Sequence, residues 1–193
     1  MSDRVGILGG AFDPPHVGHV ALAREAVDHF RLDRLLVRVV ADPGHKEVDT
    51  AAEIRLRLAE LAFAAIAEAE VSLDPFARSV DSLEALSLDD PIFVLGADEL
   101  EAFPTWSRPD RVLELARIGA ATRPGTDRAD LERVVATLSR PDRVELFPIT
   151  PLAVSSSEIR DRVGAGLPID GLVPDAVAAE IGHLGLYRGE SAA

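Results

Sequence analysis

The chain has 193 residues, 47% of them hydrophobic, enough for one α/β domain with a packed core. It holds no cysteine, which excludes disulfides, thiolate nucleophiles and Cys-ligated zinc. A net charge of −13 leaves no basic footprint for gripping DNA or tRNA, and no run approaches the roughly 20 apolar residues that span a bilayer.

Met1-Ser2-Asp3-Arg4 shows no basic and then apolar leader, so a cytoplasmic location is expected. Val5 to Leu8 reads as a buried strand, and Gly9-Gly10 after it lets the backbone turn tightly against something bulky. Ala11-Phe12-Asp13-Pro14-Pro15 leads into His16 and His19, three apart on the first turn of a helix over 17–30. Backbone amides, imidazoles and a helix N-terminus beyond a strand's carboxyl end make a site for phosphate. Two histidines alone also suit a metal, but a metal would want a third His or a carboxylate, and none is obvious here.

A strand over 34–40 runs into Ala41-Asp42-Pro43-Gly44, with His45-Lys46 just beyond it. Thr50 and Glu53 predict a capping box for a helix from Ala51 to about Ala69. A weak strand follows over 70–73, then a short helix over 80–86. Pro91 to Leu95 is a buried strand ending in Gly96-Ala97-Asp98, before a helix-prone stretch over 99–103. Thr105-Trp106 precedes a helix over 109–116, and a fifth strand over 117–121 ends in Thr122-Arg123-Pro124-Gly125. An amphipathic helix over 127–138 and a sixth strand over 144–148 come next. Ser155-Ser156-Ser157-Glu158 opens a helix, and a last one over 174–183 stops at Gly185.

Alternating strands and helices predict an α/β fold with a single doubly wound, mainly parallel sheet, in one domain over 1–193. Such sheets bind ligands beyond the carboxyl ends of their strands, and every unusual polar cluster above lies at such an end. On the residues alone, Asp98 also fits a helix cap, Trp106 plain core, Ser155 to Ser157 a cap without ligand, and Lys46, Arg123 and Arg160 ordinary surface charges.

Beside these alternatives stands a resemblance, carried first by two stretches. Gly9-Gly10-Ala11-Phe12-Asp13-Pro14-Pro15-His16-Val17-Gly18-His19 and Val154-Ser155-Ser156-Ser157-Glu158-Ile159-Arg160 resemble the paired signature of the nucleotidyltransferase superfamily. Pro43-Gly44-His45-Lys46, Gly96 to Leu100 with Phe103-Pro104-Thr105-Trp106, Arg123-Pro124-Gly125 and Leu184 to Tyr187 resemble the bacterial nicotinate-nucleotide adenylyltransferase family in particular. The resemblance implies a Rossmann-like fold and adenylyl transfer from ATP to nicotinate mononucleotide, giving deamido-NAD and pyrophosphate in NAD biosynthesis. It implies ATP binding by Gly9, Gly10, Ala11, Phe12, His16, His19, Gly96, Asp98, Ser155, Ser156 and Arg160. Among these, His16, His19 and Arg160 would be catalytic, with the helices from about 155 completing the ATP site. Lys46, Thr105, Trp106 and Arg123 would face the acceptor, and Mg²⁺ would arrive with ATP without a dedicated protein ligand cluster. Partners are then ATP and a pyridine mononucleotide, with no nucleic acid or membrane; a homo-oligomer stays open.

Three departures stand out. Ala11 replaces the family's usual Thr, Pro43-Gly44 its Pro-Pro, and 76–83 lacks the Tyr and Thr of the family's S-Y-T-x-x-T-L, which helps line the acceptor side. Adenylyl transfer is therefore better supported than the acceptor. The alternatives are nicotinamide mononucleotide or phosphopantetheine as acceptor, or a non-catalytic nucleotide-binding sensor. The loop over 42–50, with Gly44, is a candidate for closing over substrate.

Overall fold

The computed structural model describes residues 3–44, 48–122, 128–150 and 152–188. Six strands form one sheet: β1 (Val5–Gly10), β2 (Arg34–Val40), β3 (Ala69–Asp74), β4 (Ile92–Leu95), β5 (Arg117–Thr122) and β6 (Val144–Pro148). All neighbours pair in parallel, in the order β3-β2-β1-β4-β5-β6. The order reverses between β1 and β4, which opens a crevice beyond their carboxyl ends.

The strands alternate sides with period two, and each side is covered by helices. One side packs Leu8, Val37, Val39 and Phe147 under α1 (Val17–Phe30), α2 (Ala52–Phe63), α7 (Ser156–Gly164) and α8 (Asp175–Leu184). The other packs Ile7, Leu36, Phe93 and Ile118 under α3 (Ser79–Leu86), α4 (Ala97–Ala102), α5 (Pro109–Leu115) and α6 (Arg128–Thr137). α8 stops at Gly185, whose φ of 64° is the left-handed geometry a side chain would resist.

The expected order of elements matches this sheet, and α1, β2 and β6 coincide with their expected ranges. Three expectations fail in detail. α2 ends at Phe63 rather than about Ala69, because two turns, Ile66 N–H to Phe63 O and Ala69 N–H to Ile66 O, bring the chain down to pair β3 with β2. Apolar residues continue past Phe63, but strand pairing overrides their helical preference. The Thr50–Glu53 capping box does not form: Ala51 is the N-cap and no side chain caps the helix. The Thr50 carbonyl instead accepts from Arg55 Nε at 2.9 Å. The stretch expected as a helix over 99–103 is α4 two residues earlier, followed by one 3-10 turn over Phe103–Thr105.

Candidate active site

Beyond Gly10 the chain turns sharply. Phe12, at φ 51°, folds its ring back over Gly10, where an added Cβ would come within 3.0 Å of the ring. That ring is buried, edge-on to Phe63 at 5.6 Å and to His19 at 5.0 Å. Phe12 is therefore an anchor by its side chain. A cis Asp13–Pro14 bond and Pro15 then deliver His16 as the N-cap of α1.

His16 and His19 cap each other. His19 N–H donates to His16 Nδ1 at 3.4 Å and His16 N–H to His19 Nδ1 at 3.2 Å, with the rings stacked 3.7 Å apart. A ring nitrogen that accepts carries no proton, so a neutral imidazole here bears its N–H on Nε2. His16 is 9% exposed, and burial lowers its pKa from 6.5 to about 4. His16 is thus a neutral donor held in one tautomer.

α7 arrives from the far end of the chain to close this loop. Ser155 caps it, accepting from Glu158 N–H at 3.1 Å. Ser156 Oγ donates to the Pro14 carbonyl at 2.8 Å, and Arg160 Nη1 to the Asp13 carbonyl at 2.7 Å. Tyr187 adds a third tie, its hydroxyl donating to the buried Asp13 Oδ1 at 2.7 Å. Burial and this carboxylate push the Tyr187 phenol up, so it stays protonated and keeps donating. Removing the Ser156 hydroxyl leaves a carbonyl unpaired. Ser156→Ala is expected to cost about 1–3 kcal/mol in denaturant unfolding and to raise KM for the nucleotide.

Two cavities of about 610 and 600 Å³ flank the end of β1. The first lies between the N-termini of α1, α4 and α7, and is lined by His16, Gly96, Ser155, Ser156 and Arg160 among others. The second runs under α3 and the 3-10 turn, and is lined by Gly9, Gly10, Arg38, Asp74, Thr105 and Trp106 among others. Ala11, Asp98 and Glu99 line both and form the wall between them.

The expected site residues are thereby distributed. Ala11, Phe12, His16, Gly96, Asp98, Ser155, Ser156 and Arg160 share the first cavity. Gly9 and Gly10 lie on the second, with Thr105 and Trp106. His19 lines neither of these two cavities and stands against the His16 ring. Gly96, not Asp98, is the N-cap of α4, and Asp98 sits exposed in its first turn. Trp106 is half-buried, packed on Phe103 at 5.3 Å and edge-on to Phe93 at 6.1 Å. Lys46 and Arg123 lie outside the described residues.

Two residues that sequence reasoning passed over hold the crevice open. Arg55, 1% exposed, donates to the carbonyls of Thr50, Ala11, Val40 and Ala41, each at 2.8 to 2.9 Å. It ties the start of α2 to the ends of β1 and β2. Arg38, on β2, donates from Nη1 to Ser72 Oγ at 2.7 Å and faces Asp74 Oδ1 at 3.5 Å. The capping pattern of His16-x-x-His19 could have been read from sequence; a buried arginine cannot be told from an exposed one by residue type alone.

The donor set of the first cavity is amides, hydroxyls, an imidazole and a guanidinium, which suits an anion. No helix of the described residues is long and apolar enough to cross a membrane.

The parallel sheet, its crevice and the anion-facing loop define a nucleotide-binding α/β protein, and residues 7–162 match the Cytidylyltransferase-like family model. The chain is 36% identical to the probable nicotinate-nucleotide adenylyltransferase of Bordetella avium strain 197N, over 96% of this chain and 98% of that one. It is 37% identical to the Bordetella pertussis strain Tohama I counterpart, with the same coverage. The Plasmodium falciparum nicotinic acid mononucleotide adenylyltransferase complexed with NaAD superposes with a TM-score of 0.82 at 16% identity, covering 96% of this chain and 98% of that one. The chain belongs to the nicotinate-nucleotide adenylyltransferase family.

Proposed function

We propose that the chain, as one nucleotidyltransferase unit, transfers the adenylyl group of ATP to nicotinate mononucleotide, giving deamido-NAD and pyrophosphate. The observation that carries this reading is the pair of cavities of similar volume sharing one wall. A reaction that joins two mononucleotides needs two chambers whose contents meet, and here they meet at Ala11, Asp98 and Glu99. ATP would occupy the chamber of His16 and Arg160, and the acceptor that of Trp106 and Thr105.

The acceptor phosphate is ionised near neutral pH, so its oxygen can attack the α-phosphorus without a general base. One P–O bond forms as the bond from that phosphorus to the bridging oxygen breaks, and pyrophosphate leaves with the electron pair. Positioning supplies much of the acceleration, roughly 7–11 kcal/mol for a well-oriented pair. His16 Nε2–H and the Arg160 guanidinium would donate to phosphate oxygens as charge grows on them, with His19 holding His16 in register. Among the described residues no group of three or more His, Asp or Glu could hold a metal ion. A Mg²⁺ ion would come with ATP, held by its phosphate oxygens, and would neutralise part of the triphosphate charge. Dependence on ATP suits a cytoplasmic setting.

Incubating the protein with ATP, Mg²⁺ and each of nicotinate mononucleotide, nicotinamide mononucleotide and phosphopantetheine, with pyrophosphate as readout, tests the reading. Release is expected with the first at the highest kcat/KM. Release with phosphopantetheine alone would overturn the acceptor, and release with none would leave a nucleotide-binding sensor.

A further inference from the structure

On the side of the sheet that faces α3 to α6, the residues of β2 alternate Leu36, Arg38, Val40. Leu36 is core, so period two calls for another apolar residue at 38. An arginine stands there instead, with its side chain 15% exposed, on the floor of the second cavity. It pairs in register with Gly9 of β1 and Ser72 of β3. Its Nε is buried without a hydrogen-bond partner, the single such side-chain atom among the described residues. A buried unpaired donor costs about 1–3 kcal/mol and calls for an explanation.

Asp74 alone does not supply one. Its Oδ2 accepts from Ser82 Oγ at 2.6 Å and its Oδ1 from Phe76 N–H at 3.1 Å, so this carboxylate is largely committed. The contact of Arg38 Nη2 with Asp74, at 3.5 Å, is a loose one. Across Gly9, which leaves the floor bare, stand Phe93 and Trp106. Strands two apart lie roughly 10 Å from each other, room for one aromatic ring between the guanidinium and the tryptophan.

We propose that Arg38 is the residue that reads the carboxylate of the nicotinate ring, and so sets the preference for nicotinate over nicotinamide mononucleotide. The assignment rests on nicotinate mononucleotide being the acceptor. Of the acceptor's two anionic groups, the phosphate must lie at the wall of Ala11, Asp98 and Glu99 to meet ATP. Arg38 lies two residues back from that wall by register and lines the second cavity alone. The ring end of the acceptor therefore faces it. A small rotation that releases Asp74 presents Nε–H and an Nη–H side by side, a fork that matches a carboxylate. A carboxamide offers one acceptor oxygen and an NH₂ that would point a donor at donors.

The test uses the full chain and its single tryptophan. Titrating Trp106 emission with each mononucleotide alone gives binding, and pyrophosphate release with ATP gives kcat and KM. Arg38→Met is expected to raise Kd and KM for nicotinate mononucleotide by roughly 10- to 100-fold, with kcat changed far less, and to move the values for nicotinamide mononucleotide by less than about 3-fold. An equal loss for both acceptors assigns Arg38 to the β2–β3 scaffold and overturns the proposal. If Arg38→Met does not fold, Arg38→Lys decides: it keeps the charge and loses the fork, so KM for nicotinate mononucleotide should rise several-fold, and an unchanged KM overturns the proposal. A wild-type chain that neither binds nor turns over nicotinate mononucleotide but uses another acceptor removes the underlying reading and the assignment with it. That pattern is distinct from an equal loss in the variant.

Discussion

His16→Asn is expected to lower kcat by about 10²- to 10³-fold while leaving the fold within about 1 kcal/mol of wild type. The two effects separate because the imidazole does two jobs. Its Nδ1 caps α1, and an Asn Oδ1 can accept from the same His19 N–H, Asn being among the best N-caps. Its Nε2–H would be the donor on the nucleotide side, and Asn cannot place an N–H there while its oxygen caps. His16→Ala should add a stability loss of about 1 kcal/mol from the missing cap. His19→Ala should lower kcat at least ~10²-fold by a different route, by letting the His16 ring lose its stacked partner and its orientation. Turnover near wild type in His16→Asn would remove the donor from the mechanism.

The same residue sets an acid limit on stability. The unfolded chain's imidazole takes up a proton near pH 6.5 and the folded one only near 4, so unfolding becomes more favourable as pH falls through that window. Above about pH 6.5 both states are neutral and His16 contributes no pH dependence; below about 4 the loss is complete, on the order of 3 kcal/mol. Urea midpoints between pH 8 and pH 4 should show this slope in wild type and a weaker one in His16→Asn.

Arg55→Met is expected to be the most damaging single change to the fold, about 3–5 kcal/mol by denaturant unfolding. Methionine fills much of the volume but donates nothing, so the carbonyls of Thr50, Ala11, Val40 and Ala41 are left unpaired beside a buried site. Ala11 lies on the wall between the cavities, so any properly folded fraction should also show raised KM for both substrates. A midpoint close to wild type would mean that water replaces the guanidinium, and would reduce Arg55 to a minor tie.

What the sequence made legible was the part written in local pattern. β2 is a β-branched run bounded by a turn, and α1 has an apolar stripe behind a capping pair, so both were readable to the residue. Clustering of Gly9 to His19, Gly96 to Asp98 and Ser155 to Arg160 at strand ends pointed to one crevice, and the sheet order brings them there. The overrun of α2 past Phe63 arose because Ala64 to Ala67 suit a helix, and only pairing with β2 stops it. Thr50 and Glu53 had the right spacing for a capping box, but a buried guanidinium five residues on claims the Thr50 carbonyl. Arg38 and Arg55 stayed hidden because their meaning lies in partners 34 and 44 residues away, and Tyr187 stood out only by resemblance, its partner Asp13 lying 174 residues away.

The ties from Ser156, Arg160 and Tyr187 to the Asp13–Pro14 turn join points 142, 147 and 174 residues apart. On a ribosome, β1 and the His16 cap emerge well before their fasteners, which follow 142 to 174 residues later. A nascent chain can pair its strands in order of synthesis and still present an unfinished turn, unable to hold a nucleotide. If this turn holds ATP, the chain would gain that ability only once α7 and α8 fold back across β1. Half-made chains should accordingly fail to capture ATP even where their sheet has formed.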